Sequence, residues 1–384
     1  MLKLSGKVVQ RSPATFTSRS QLMVLSTNSQ QPKVLRSQRG FLITSTDIPI
    51  GFKHYFAFDV LPEGLPPEAA CTVISRDFDY LAENDVIALT SDGCIRSLYR
   101  ANSPHNSVLL TERCNNYCLM CSQPPKNVND SWLLDEAMEL VRIIPRHTAN
   151  VMCITGGEPT LYGDGFIQLV QHFRRYLPHT ALHILSNGRS FADQEFARKY
   201  ADVQHPDVML GIPVYSADPA RHDYIVQAKG AFDETISGIL NLKELGQRVE
   251  IRVVVHKQTC DSLPNLAEFI TRNLLFVDQV VLMGLEMTGF TRANLDSLWI
   301  DPVEYKDKLS EAVQILRSFR VPVSVYNHPL CLVNPDVEPA YVRSISDWKN
   351  EFAPECEPCK RKHECGGFFS SSILHQYSDH ITPF

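Results

Sequence analysis

Between residues 106 and 326 short apolar runs alternate with amphipathic stretches, and this alternation leaves the chain few architectures. The runs at 108–111, 151–155, 182–186, 208–214, 250–255 and 280–285 read as strands. Helical spacing recurs between them. It appears in Leu134, Ala137, Met138, Val141 and Ile144, and in Phe166, Leu169, Val170, Phe173 and Leu177. It returns in Phe232, Ile236, Ile239, Leu240 and Leu245, where Gly246 is a plausible stop. Ala312, Ile315, Leu316 and Phe319 suggest the helix that closes the series. Strands separated by helices pair in parallel through right-handed crossovers. A full eight-unit barrel takes about 250 residues, so six units here predict a partial (β/α)6 TIM-like barrel within an α/β fold. Chemistry in such a barrel sits on loops at the carboxyl ends of the strands.

The flanking segments read differently. Residues 1–105 form a β-rich N-terminal domain, with strands expected at 41–44, 54–58, 71–74, 86–89 and 94–98. Asp92-Gly93 marks a hairpin between the last two. Residues 327–384 are a cysteine-rich C-terminal extension. A length of 384 residues with 44% hydrophobic residues suits two or three packed domains. The net charge of −6 argues against a nucleic-acid binder that works by neutralising phosphates. Met1–Lys7 has no apolar signal core, and no apolar run is long enough to span a bilayer, so a cytoplasmic location is expected. In that reducing setting seven of the eleven cysteines, which fall into two spaced sets, read as metal or cluster ligands rather than disulfides. Cys71, Cys94 and Cys153 are expected in the core, and Cys260 is expected to be structural.

The first set lies just after the first strand, in Thr111-Glu112-Arg113-Cys114-Asn115-Asn116-Tyr117-Cys118-Leu119-Met120-Cys121-Ser122-Gln123-Pro124-Pro125. Cys114, Cys118 and Cys121 have C-x3-C-x2-C spacing. Three thiolates on a four-iron cluster leave one iron free for a small molecule. Zinc is the competing reading, but structural zinc wants four ligands, usually as two pairs.

This stretch resembles the radical S-adenosylmethionine (SAM) superfamily. Asn115-Asn116-Tyr117 and Leu119-Met120-Cys121-Ser122-Gln123-Pro124-Pro125 narrow the resemblance to the His-Xaa-Ser system radical SAM maturases, of the HxsC type. Met120 stands where most members carry an aromatic residue, and its thioether could pack on an adenine ring. The resemblance implies that Gly156-Gly157-Glu158, at the end of the second strand, holds the SAM amino group. Ser186-Asn187-Gly188, at the end of the third strand, resembles the family's Thr-Asn-Gly, where polar side chains face the SAM carboxylate or ribose. On the fourth strand the family's ribose-facing serine falls near Pro213, which leaves Tyr215 and Ser216 as substitutes. Glu250, Arg252, Val254 and His256 share a face of the fifth strand. That face points either toward SAM and substrate, with Arg252 a cofactor contact, or outward as a salt-bridged surface. Glu286, at the end of the sixth strand, is either pocket or structure.

The C-terminal set is Cys356, Cys359 and Cys365 in C-x2-C-x5-C spacing, with Cys331 as a fourth candidate. Four thiolates saturate a [4Fe–4S] cluster, and four cysteines, or three with His363, equally suit zinc. The pattern resembles the auxiliary-cluster extensions of peptide-modifying radical SAM enzymes. The resemblance as a whole implies reductive cleavage of SAM to a 5′-deoxyadenosyl radical. That radical would take hydrogen from a ribosomally made peptide with His-Xaa-Ser repeats. It also implies a sister radical SAM maturase as partner and an external one-electron donor such as flavodoxin or ferredoxin. The alternatives are a radical SAM enzyme on another substrate (an activase, a cofactor-biosynthesis enzyme or an RNA modifier) and a non-catalytic metal-stabilised scaffold.

Overall fold

A computed structural model describes residues 3–12, 20–343 and 350–384. The first sheet contains β1 (Ser5–Lys7), β2 (Gln10–Arg11), β3 (Gln21–Ser26), β4 (Arg39–Leu42), β5 (His54–Phe58), β6 (Cys71–Ile74), β7 (Val86–Leu89) and β8 (Cys94–Tyr99). Their order is β1-β8-β7-β3-β4-β5-β6-β2. The run from β3 to β6 is parallel and the other pairings are antiparallel. The expected hairpin is the β7–β8 pair, and Gly93 takes its positive φ at the turn. β3 was not among the expected strands. Its continuous apolar run is buried on both faces, so alternation gives no signal. Leu22 and Val24 join the core of the second sheet, and Met23 and Leu25 the core of the first. The helix Trp132–Ile143 covers this junction, where Arg96 pairs with Glu136 and lies 5.1 Å over the Trp132 ring.

The second sheet is wholly parallel. It runs in chain order through β9 (Asn106–Leu109), β10 (Val151–Thr155), β11 (Ala181–Leu185), β12 (Val208–Pro213), β13 (Arg248–Val255), β14 (Gln279–Gly284) and β15 (Val323–Tyr326). This is the partial TIM-like barrel the alternation predicts, with β9 and β15 as its two edges and one strand more than six. β15 is only Val-Ser-Val-Tyr, too short to stand out in sequence, and pairing with β14 fixes it. One face of the sheet is apolar. Met152, Ile154, Leu182, Ile184, Leu210, Ile212, Ile251, Val253 and Leu282 are buried beneath the covering helices. Each such burial contributes about 1.5–3 kcal/mol.

The other face lines the barrel interior and is polar. Cys153, His183, Arg252, Met283 and Tyr326 are half-buried there. Cys153 was expected in the apolar core. It stands instead on this inner face, within electrostatic reach of Arg252 and Glu250, and burial pushes its thiol up to about 11. Cys94 also departs from expectation: it sits half-buried at the hairpin, its Sγ 3.5 Å from Asp92 Oδ2. Cys71 and Cys260 are buried as expected.

Beyond β15 the chain turns at Leu330–Leu332, Pro335–Ala340 and Pro354–Cys356, and ends after the helix Ser370–His375. Ala353, Cys356 and Phe368 form a small core of their own. Among the described residues no helix is long and apolar enough to cross a membrane.

Candidate active site

Cys114, Cys118 and Cys121 occupy the loop that leaves β9, and three neighbouring segments fasten it. Tyr117 and Leu119 donate backbone hydrogen bonds to Val226 (3.0 Å) and Ile225 (3.0 Å), at the end of the helix Pro219–Val226. Phe290 N bonds Cys121 O at 2.8 Å, Thr291 Oγ1 donates to Met120 O at 3.2 Å, and Asn294 Nδ2 to Leu119 O at 2.9 Å. Arg189 donates to Asn115 O (2.8 Å) and to Asn116 Oδ1 (2.7 Å), and Asn187 Nδ2 to Asn115 Oδ1 (2.6 Å). These bonds fix the backbone path of the loop without a ligand.

The root of the loop is held by Asp130, which sequence reasoning missed. Its carboxylate accepts from Thr111 Oγ1 (2.9 Å), Glu112 N (2.6 Å), Arg113 Nε (3.2 Å) and Tyr162 OH (3.0 Å). Burial pushes Asp130 upward, but these hydrogen bonds and the Arg113 charge hold it below the ordinary carboxylate range. No local pattern points to it, since it lies in a polar loop many residues after Thr111. Arg189 was also missed, although it directly follows Ser186-Asn187-Gly188.

Burial pushes all three thiols up, Cys114 to about 11 and Cys118 to about 12. Each thiolate would also raise its neighbours. A positively charged cluster reverses that penalty, because coordination deprotonates a thiol outright. Asn116 N lies 3.4 Å from Cys114 Sγ, a donor that a bound thiolate would keep. The donor set therefore fits an iron–sulfur cluster.

The ends of β10 and β11 meet beside this loop. Gly157 is required there by space: a Cβ would stand 2.0 Å from Arg113 O, so any side chain displaces the cysteine loop. Gly157 N and Glu158 N donate to Thr111 O (2.7 Å) and Arg113 O (2.8 Å). Gly156 is packed against Thr111, where a Cβ would stand 2.7 Å from the carbonyl oxygen. Glu158 is fully buried. Its Oε1 accepts from Thr160 N (3.0 Å), Thr160 Oγ1 (2.5 Å) and Ser186 Oγ (2.8 Å), and its Oε2 from Asn187 N (2.6 Å). Burial pushes its carboxyl up against these hydrogen bonds. These four donors match the roughly four acceptor sites of a carboxylate, with three crowded on Oε1 and one on Oε2. Glu158, Ser186 and Asn187 thus form one network. Met120 is buried in the apolar core behind the loop.

Arg252 and Glu250 point into the barrel, not outward. Arg252 donates to Glu250 Oε1 at 2.6 Å and to Met283 Sδ at 3.0 Å, and His183 Nε2 lies 3.4 Å from Glu250 Oε1. Burial raises Glu250, but His183 and Arg252 bring it below its ordinary value. Gly211 permits this crossing, since a Cβ there would stand 2.8 Å from Arg252 Cδ and 3.0 Å from His183 Nε2. Tyr215 is buried within electrostatic reach of Cys118, Cys121 and Arg252, and its ring lies 5.9 Å from that of His222. Ser216 is buried and accepts from Asp218 N. His256 lies just beyond β13, fully buried in its loop.

Cys331, Cys356, Cys359 and Cys365 line one pocket with Phe352, Phe368, Ile381 and Phe384. Leu330 N and Gly367 N each approach Cys365 Sγ to 3.3 Å. Burial raises Cys331 and Cys356. His363 is not among the lining residues; it is 74% exposed and pairs with Glu364. Among the described residues no three His, Cys, Asp or Glu side chains are drawn close enough to hold a single metal ion.

Residues 108–270 match the family model of the radical SAM superfamily. This stretch belongs to the radical SAM superfamily. The family implies a [4Fe–4S] cluster and SAM. A probable GTP 3′,8-cyclase of Methanocella arvoryzae is 26% identical over 209 residues, covering 54% of this chain and 64% of that protein. An Fe-coproporphyrin III synthase of Methanosarcina barkeri is 25% identical over 166 residues, covering 42% of this chain and 39% of that protein. The matched stretch therefore spans less than two thirds of either relative. Among solved structures, SuiB of Streptococcus suis bound to S-adenosylmethionine aligns with a TM-score of 0.46 at 14% identity, covering 58% of this chain and 50% of that one.

Proposed function

We propose that this chain is a radical SAM peptide maturase with two iron–sulfur centres. The observation that carries the reading is the second thiol pocket: Cys331, Cys356, Cys359 and Cys365 line one pocket beyond the end of β15. Four thiolates around one space suit a saturated auxiliary [4Fe–4S] cluster, and the 74% exposure of His363 weighs against the three-cysteine, one-histidine form of the zinc reading. Cys114, Cys118 and Cys121 would hold the first cluster. Gly156, Gly157 and Glu158 would seat the SAM amino group, with Ser186 and Asn187 beside it, Met120 behind the adenine and Arg252 reaching from the barrel interior. When bound, these groups supply one-electron cleavage of the SAM carbon–sulfur bond and a 5′-deoxyadenosyl radical that removes hydrogen from substrate.

The chain's own share is order and exclusion. Asp130 holds the root of the cluster loop, Arg189 and Asn187 hold its first half, and Asn294 its second. The buried Glu158 network ties the β10 and β11 loops into one wall. Substrate would be a ribosomally made peptide with His-Xaa-Ser repeats, presented with a sister radical SAM maturase. An external donor such as flavodoxin or ferredoxin would reduce the first cluster in the cytoplasm.

A second reading is favoured by the sequence relatives named as GTP 3′,8-cyclases. A nucleoside triphosphate calls for several Lys or Arg side chains. Here the inward-facing Arg252 is already paired with Glu250. The two readings separate in one anaerobic reaction of reconstituted protein, SAM and dithionite with either a synthetic His-Xaa-Ser repeat peptide or GTP. Turnover of the peptide with loss of hydrogen mass, and GTP left intact, is the expected result. Consumption of GTP with an unchanged peptide would replace the maturase by a cofactor-biosynthesis enzyme.

A further inference from the structure

The two edges of the barrel sheet differ. At β15 the chain covers its own edge: Val342 N bonds Val325 O at 2.9 Å, beside the bridge between Val325 and Tyr341. At β9 no such cover exists among the described residues. Leu110 N donates to Thr155 O at 2.8 Å, on the β10 side. Successive residues of a strand turn their N–H and C=O to opposite edges, so Val108 also faces β10, while Ser107 and Leu109 face away from it. No strand pairs with them there, and no other backbone group of the described chain bonds them.

A cavity of about 240 Å³ lies against this edge, and Ser107, Val108 and Leu109 all line it. Successive side chains of a strand point to opposite faces, so three consecutive residues share one cavity only along the strand's edge. Ser107 is exposed and Leu109 half-buried. The other walls include Leu98 from the first sheet and Leu133 and Leu140 from the helix Trp132–Ile143. Leu4, also in the lining, is 48% exposed. Arg96 and Glu136, the charged residues of the lining, are paired with each other.

Free strand edges are ordinarily blunted by charges, proline or a bulge. Asn106-Ser107-Val108-Leu109 has no charge and no proline, and its register with β10 is unbroken from Met152 to Thr155. Such an edge is a template for an added strand. We infer that β9 takes up an extended peptide segment as an eighth strand of this seven-stranded sheet. The segment bonds the N–H and C=O groups of Ser107 and Leu109, and its alternate apolar side chains meet Leu4, Leu133 and Leu140. Charged side chains are disfavoured, because Arg96 and Glu136 already satisfy each other. β9 runs directly into the loop that carries Cys114, so a segment paired with it has one end beside that loop. That the guest is the peptide to be matured rests on the maturase reading; strand addition itself does not.

The test is hydrogen–deuterium exchange of full-length protein, read by mass spectrometry on the segment containing residues 106–110. The probe is a synthetic peptide, acetyl-Thr-Val-Thr-Val-Thr-Val-amide, in which polar and apolar residues alternate. Saturable protection of that segment is expected, with affinity on the order of millimolar for so few hydrogen bonds. The same peptide N-methylated at every residue has no N–H to donate and should protect nothing. Ser107→Pro removes an N–H that has no partner in the fold, which an edge strand tolerates, and should weaken binding roughly tenfold. Ser107→Val keeps the N–H and should leave binding unchanged. If Ser107→Pro does not fold, the N-methylated peptide remains decisive. No protection by the probe, equal protection by its N-methylated form, or native affinity in folded Ser107→Pro would overturn the inference. SAM cleavage by the reconstituted native protein is measured alongside. Protection without SAM cleavage supports the edge and sinks the maturase; SAM cleavage without protection sinks the edge alone.

Discussion

Cys118→Ala is expected to reduce SAM cleavage to the level of a protein-free control, measured as 5′-deoxyadenosine formed under dithionite. The side chain is half-buried in the centre of the cluster loop, flanked by the two backbone bonds to Val226 and Ile225. Those bonds, and the anchors from Arg189 and Asn294, involve no atom of the Cys118 side chain. The loop therefore keeps its path in the variant, and the loss reports a missing iron ligand, not a collapsed loop. Two thiolates cannot hold a four-iron cluster with one open site as three do. An unchanged far-UV spectrum with no 5′-deoxyadenosine is the combination the assignment requires. Cleavage at the native rate would mean that this loop does not carry the cluster.

Cys359→Ala should act differently. It is expected to abolish modified peptide while leaving SAM cleavage partly intact. Cys359 lies in the C-terminal thiol pocket, apart from the Glu158, Ser186 and Asn187 network. A second cluster would accept an electron from the substrate or bind the substrate directly, and neither role is needed to break SAM. Mass spectrometry of the peptide and chromatography of 5′-deoxyadenosine, from one reaction, read the two effects separately. If both persist at native levels, the C-terminal cysteines are not an auxiliary site.

Much of the barrel is legible in sequence, because each of its longer strands is a short apolar run ahead of a helical repeat. β15 is the exception: four residues with a serine carry too little pattern, and their pairing with β14 is a tertiary fact. β3 escapes for the opposite reason, being apolar on both faces between two cores. At the site, cysteine spacing and the Gly-Gly-Glu turn identify the segments. They do not show that Glu158 gathers Thr160, Ser186 and Asn187 around one carboxylate. Nor do they show the anchors. Asp130, Arg189 and Asn294 act on the cluster loop from distant parts of the chain, and only the folded barrel brings them to it. The direction of Arg252 was equally open, since strand alternation names its face but not which side faces inward. The helices that bury Ile251 and Val253 decide it.

The most direct test of two iron–sulfur centres is iron and acid-labile sulfide per chain after anaerobic reconstitution. Zinc is measured beside them, in native protein and in a variant with Cys114, Cys118 and Cys121 all replaced by Ala. About eight irons in the native protein and about four in the variant is the expected result, as two thiolate-held [4Fe–4S] clusters require. About four irons in the native protein, none in the variant and one zinc in both would contradict it, leaving a radical SAM enzyme with a structural zinc tail and an open choice of substrate.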